Sequence, residues 1–178
     1  MLLNSIAQIR PQAFDLSETI ETIERSESSF DVFKQLKHTG AAFRLEHFIV
    51  AKQPPGSFSQ FAQRVIITNW DAELLARFIE DKTFDRSWIS DRLRNLTTPS
   101  TLCLSENRSA DNSSMHDEER IMVGQGYDRI AYFPIQLDCQ TRGAVSFSGS
   151  REPVETEEMA QLFLISRYAF ARLTKVSA

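Results

Sequence analysis

With 178 residues, 42% of them hydrophobic and 25% charged, the chain has the size and balance of one globular domain with a substantial core. Its 20 Lys+Arg against 24 Asp+Glu leave a net charge of -4, which excludes a chain whose main work is gripping phosphate backbones. Thirteen Phe point to a core or pocket built partly from aromatic rings.

The N-terminal segment, residues 1–16, opens Met1-Leu2-Leu3-Asn4-Ser5-Ile6, without a basic n-region or a continuous apolar run. No apolar stretch approaches the length of a bilayer span, so the expectation is a cytoplasmic protein that does not enter a membrane. Ile20 and Ile23, then Phe30, Phe33 and Leu36, recur at helical spacing and predict two short helices, stopped by Gly40. Residues 43–52 and 63–70 have strand character. The turn cluster Gln53-Pro54-Pro55-Gly56-Ser57 between them predicts an antiparallel pair. Asn69 or Asp71 can cap a following helix through Leu74, Leu75, Phe78 and Ile79. A second helix is predicted over 87–96, broken by Thr98-Pro99, and a polar loop over 105–112.

A short helix over 115–124 precedes strands over 129–137 and 143–148, joined by the turn 138–142. The closing helix, 154–176, has Glu155, Glu157 and Glu158 where the helix dipole favours negative charge. Met159, Leu162, Phe163, Ser166, Phe170 and Leu173 mark one of its faces, which covers the sheet and in part can serve a dimer. The order α-α-β-β-α-α-β-α-β-β-α predicts a single α/β domain over 1–178, a sandwich with about five mostly antiparallel strands and helices on both faces.

Chemistry-bearing patterns are scarce. His38, His47 and His116 lack metal-ligand spacing, and Cys103 and Cys139 are too few for a disulfide framework or a structural zinc site. Ser146 and Ser148 do not lie in a nucleophile elbow, and Gly124-Gln125-Gly126 reads as a turn. Neither a catalytic residue, a metal site nor a cofactor is expected. Arg86, Trp88, Arg92 and Arg94 form a local basic cluster. In an acidic chain it reads as a solvated helix face with Trp88 turned inward rather than as a nucleic-acid contact.

Three stretches carry a resemblance. Phe48-Ile49-Val50 through Arg64 to Trp70, Leu74 and Phe78 is similar to a strand-loop-strand followed by N-[WY]-x3-W-x3-Y. Tyr132-Phe133-Pro134-Ile135 ahead of Gly143 to Ser148 is similar to a "PI…G-x-[LM]-[ST]" strand pair. Glu155 to Met159 through Arg167 to Leu173 supplies a matching closing helix. Together, from about Phe30 to Val176, they resemble the autoinducer-binding domain of LuxR-type quorum-sensing regulators. That resemblance implies an α-β-α sandwich that holds an acyl-homoserine lactone between sheet and helices. It also implies dimerisation, as a homodimer or with a LuxR-type regulator. The family's helix-turn-helix domain follows this closing helix, so no direct DNA binding is expected of these residues.

The pocket candidates that follow are Trp70, Leu74, Phe78, Trp88, Leu104 and Ser146. Trp70 falls where a tyrosine donates to the acyl carbonyl, and Ser146 where a hydroxyl contacts ligand. Leu74 and Phe78 replace a tryptophan and a tyrosine, Leu104 stands where an aromatic is usual, and Trp88-Ile89 falls near the family's Asp-Pro pair. The head-group end is therefore read as apolar. Three outcomes stay open: an acyl-homoserine lactone held by Trp70 and Ser146, a different and more apolar signal, or a packed core that acts through protein contacts alone.

Overall fold

The computed structural model describes residues 14–53, 61–80, 95–106 and 117–177. Two helices, α1 (Leu16–Arg25) and α2 (Ser29–Ala42), open it. Asp15 Oδ1 accepts from the Glu18 N–H at the start of α1. Ser28 and Asp31 form a capping box at the start of α2, each side chain accepting from the other's backbone N–H. The strands are β1 (His47–Lys52), β2 (Val65–Thr68), β3 (Ser100–Cys103), β4 (Arg129–Gln136) and β5 (Arg142–Gly149). Between them lie α3 (Phe61–Arg64), α4 (Ala72–Glu80) and α5 (Asp117–Gly124), and α6 (Thr156–Val176) closes the chain.

All the strands pair antiparallel in the order β2-β1-β5-β4-β3. Phe48, Val50, Ala131, Phe133, Ile135, Val145 and Phe147 face one way, into a core shared with α1, α2 and α6. Helix α6 contributes Leu162, Ile165, Ala169, Phe170 and Leu173 to it. This spacing is the 3.6-residue stripe that a sheet-covering helix requires. Gly143 is needed at its centre, because a Cβ there would overlap the Phe170 ring and the Ala51 carbonyl oxygen. The opposite face of the sheet carries Ile49, Ile130 and Leu102 into a second cluster with Leu74 and Phe78 of α4 and Met122 of α5.

The sandwich expected from the sequence is therefore present, with helices on both faces of five antiparallel strands. Two strands are shorter than expected. Phe43 caps the C-terminus of α2 and Arg44 turns at φ 55, so β1 begins only at His47. Residues 61–64 form a helical turn, and β2 runs only from Val65 to Thr68. In both cases local β-propensity yields to the turn that the neighbouring element imposes. The last helix begins one residue after Glu155, which is its N-cap, rather than at 154. Of the Gly124-Gln125-Gly126 turn expected from the sequence, Gly124 ends α5, and Gln125 and Gly126 form the turn, with Gly126 at φ 88. The loop 53–57 beyond Gln53, most of the helix expected over 87–96, the basic cluster and most of the 105–112 loop lie outside the described residues.

Candidate ligand site

The expected site residues that the structure describes lie on the side of the sheet opposite α6. Its register is set by direct antiparallel partners, whose side chains share a face. One row across all five strands reads Thr68, Ile49, Ser146, Tyr132, Ser100. The next reads His47, Ser148, Ile130, Leu102. On the other side of the first row come Ala51, Ala144 and Pro134. The central strand β5 thus presents Ala144, Ser146 and Ser148 on this face, flanked by Ile49 on one side and by Tyr132 and Ile130 on the other.

Helix α4 supplies the opposing wall. Asp71 caps it, Oδ1 accepting from the N–H groups of Glu73 and Leu74 at 3.0 Å each. The i, i+4 spacing then points Trp70, Leu74 and Phe78 the same way, and all three are buried in one cluster with Leu104 and Tyr127. The Trp70 ring meets Phe78 at 6.1 Å and Tyr127 at 5.3 Å, the latter edge to face. Asn69 fixes this corner to the sheet, its side chain accepting from Phe48 N–H at 2.6 Å and donating to the Glu46 carbonyl at 2.7 Å. Thr68 Oγ1 donates to the Phe48 carbonyl and accepts from Trp70 N–H.

Five of the six expected site residues thus lie on one side of the sheet: Trp70, Leu74, Phe78 and Leu104 in the cluster, and Ser146 in the central row. Trp88 lies outside the described residues. Sequence reasoning missed Tyr127, Tyr132, His47 and Ser148. A signal for two of them was present, since Tyr132 and Ser148 stand two residues from Pro134 and Ser146 and so share their faces.

Burial shifts two titratable groups on this face. Burial pushes the Tyr132 hydroxyl up to about 12, against the opposing pull of the nearby Arg64 guanidinium. Burial also lowers the His47 imidazole below its usual 6.5, with the Glu46 carboxylate working the other way. His47 stacks on Tyr127 with ring centroids 3.9 Å apart. Cys103, at the end of β3, is buried with Sγ against Ser105 and Asp128, and Cys139 is exposed and unpaired with it. A separate open groove of about 280 Å³, lined by Thr22, Arg25, Ser26, Asp31 and Lys34, lies at the α1–α2 turn. It belongs to the outer helical layer, and two of its lining groups already pair, Lys34 with Asp31.

Among the described residues, no helix is long and apolar enough to cross a membrane. No protein-family model and no curated protein matches the sequence. Solved structures do match the fold. The N-acylhomoserine lactone dependent LuxR family transcription factor CepR2 from Burkholderia cenocepacia matches with a TM-score of 0.62 at 12% identity. The match covers 91% of this chain and 90% of that one. SdiA in complex with octanoyl-rac-glycerol matches with a TM-score of 0.65 at 15% identity, over 91% of this chain and 66% of that one. The LBD domain of VqsR from Pseudomonas aeruginosa matches with a TM-score of 0.54 at 16% identity, covering 91% and 92%. The chain therefore has the fold of the ligand-binding domains of LuxR-family regulators.

Proposed function

We propose that this chain is a non-enzymatic sensing module that binds a small amphiphile between α4 and the sheet and signals through dimerisation. The partner is a second copy or a LuxR-type regulator. The observation that carries the reading is the meeting of one apolar wall, Trp70, Leu74, Phe78 and Leu104, with a sheet face that holds Ser146 in its central row. Such a lining suits a ligand with an acyl chain and one polar head, because a few placed polar groups in an apolar pocket fix orientation. The solved relatives support this class of ligand: CepR2 is described as N-acylhomoserine lactone dependent, and SdiA was solved with octanoyl-rac-glycerol.

Leu74 and Phe78 offer no hydrogen bonds, so the wall on α4 leaves head-group recognition to Trp70 and the sheet. Native mass spectrometry of the chain, alone and with N-octanoyl homoserine lactone or octanoyl-rac-glycerol, tests the reading. A dimer carrying one ligand per subunit is the expected result. Absence of any adduct, together with an unmoved melting temperature, overturns it, since a ligand that binds only the native state must raise that temperature.

A second reading rests on the burial of Trp70, Leu74 and Phe78 against one another. A cluster that fills its own space needs no ligand, and the domain then works by pairing with a LuxR-type regulator alone. A dimer that stays empty with both probes favours this second reading.

A further inference from the structure

Strand β5 carries two buried serines on the sheet face opposite α6. Ser148 is 1% exposed, and its hydroxyl has no hydrogen-bond partner among the described residues. Two residues before it on the same strand, Ser146 is 8% exposed, and its side chain makes no hydrogen bond to a described residue. Alternation along a strand puts both hydroxyls on the same face. Their register partners, Ile49 and Tyr132 for Ser146 and Ile130 for Ser148, confirm which face it is: that of the Trp70, Leu74 and Phe78 wall. An unsatisfied buried hydroxyl is costly, and an alanine or valine would fill a strand position in an apolar cluster without that cost.

The other buried unpartnered hydroxyls among the described residues, Thr39 and Ser166, are not comparable. Both sit in helices that pack on the opposite face, away from the α4 wall. Ser148 is the one that lies on the ligand side of the sheet.

We infer that Ser148 and Ser146 form a two-hydroxyl ledge that receives the head group of the bound amphiphile, opposite the apolar side chains of Leu74 and Phe78. This rests on the reading of the site given above and goes further, by naming Ser148 as a specificity-determining residue and the head group's chemistry. A hydroxyl both donates and accepts, so the ledge suits a neutral head carrying a carbonyl together with an O–H or N–H donor. A carboxylate there would be desolvated beside two neutral groups, which disfavours a free fatty acid.

The test is calorimetric titration and thermal denaturation of the whole chain and of Ser148→Ala, with octanoyl-rac-glycerol and with octanoate. The substitution removes one atom and leaves strand and packing intact. For the wild type, octanoyl-rac-glycerol is expected to bind and to outcompete octanoate. For Ser148→Ala, the ligand-free melting temperature is expected to hold or rise, while affinity for octanoyl-rac-glycerol falls by about tenfold or more. A purely structural hydroxyl would do the reverse, lowering the ligand-free melting temperature with affinity unchanged, and that result overturns the inference. Octanoate bound as tightly as the neutral ester by the wild type overturns the head-group assignment. If the wild type binds neither compound, the reading of the site itself fails, and the ledge with it.

Discussion

The hydroxyl of Tyr127 accepts a 3.0 Å hydrogen bond from the backbone N–H of Asp71, a residue 56 positions earlier in the chain. The bond ties the turn before β4 to the first residue of the corner that starts α4. The Tyr127 ring fills the gap between them, stacked on His47 and edge-on to Trp70. The wall formed by Trp70, Leu74 and Phe78 is thus held in place by a side chain that comes from outside the helix. Tyr127→Phe keeps the ring and removes the acceptor. It is expected to cost about 1 kcal/mol, the net worth of one such hydrogen bond, measured by urea denaturation with an unchanged slope.

His47 makes the stability of the same corner depend on pH. Burial lowers its folded-state pKa below the usual 6.5, so the unfolded chain binds the proton more readily. Stability from this group is then complete above the unfolded pKa and falls as pH drops from about 6.5 toward the lower folded value. In His47→Gln that part of the acid-side slope is expected to disappear. Denaturation midpoints at pH 7.5 and pH 5.5 for both proteins check this, and parallel losses in the two would refute it.

Two glycines should respond in opposite ways to alanine. At Gly143 the added methyl would overlap Phe170 and the Ala51 carbonyl, in the centre of the α6–sheet core. Gly143→Ala is expected to destabilise by about 3 kcal/mol, at the upper end of overpacking costs. At Gly124, the last residue of α5, nothing lies within 4 Å of the added atom. Gly124→Ala should therefore be neutral or stabilise by less than about 1 kcal/mol. Thermal denaturation of the pair separates them.

Arg151 joins three elements. Its side chain is 4% exposed. It donates to the Phe43 carbonyl at 2.6 Å and to both carboxylate oxygens of Glu158, at 3.0 and 2.7 Å. Burial raises the pKa of Glu158, but the Arg151 hydrogen bond and the Glu155 N–H outweigh it and the net shift is downward. Arg151→Met is expected to cost on the order of 2–3 kcal/mol, as charged hydrogen bonds are lost. Because a lowered carboxylate pKa favours the folded state above its unfolded value, the wild-type advantage should shrink as pH falls below 4.5 through the folded value. Acid titration of both proteins by circular dichroism tests the sign.

Much of the fold was legible in local patterns. The stripe Leu162, Ser166, Phe170 and Leu173 identified the closing helix and its buried face, because a period of 3.6 is written in sequence spacing alone. The residue types before the apolar run Leu74, Leu75, Phe78 offered Asn69 or Asp71 as the cap, and the structure uses Asp71. Strand ends were less legible. Phe43 looks like strand, yet it ends α2 because Leu45 N–H bonds back to the Gly40 carbonyl at 2.8 Å and Arg44 turns left-handed.

The sequence by itself determined the two opening helices, the order of the strands, the closing helix and the apolar content of the wall at Trp70, Leu74 and Phe78, but not the helical turn over Phe61–Arg64. Each of these depends on neighbours a few residues apart, and propensity and periodicity act over that range. Alternation puts Ser148 on the same face as Ser146, although only Ser146 was among the residues expected at the site. Only the tertiary structure decided which face that was, and that Tyr127, Tyr132 and His47 stand on it with them. Which side of a strand meets the closing helix and which meets α4 is set by register with strands far away in the chain. A shift of one residue would have sent both serines into the opposite core.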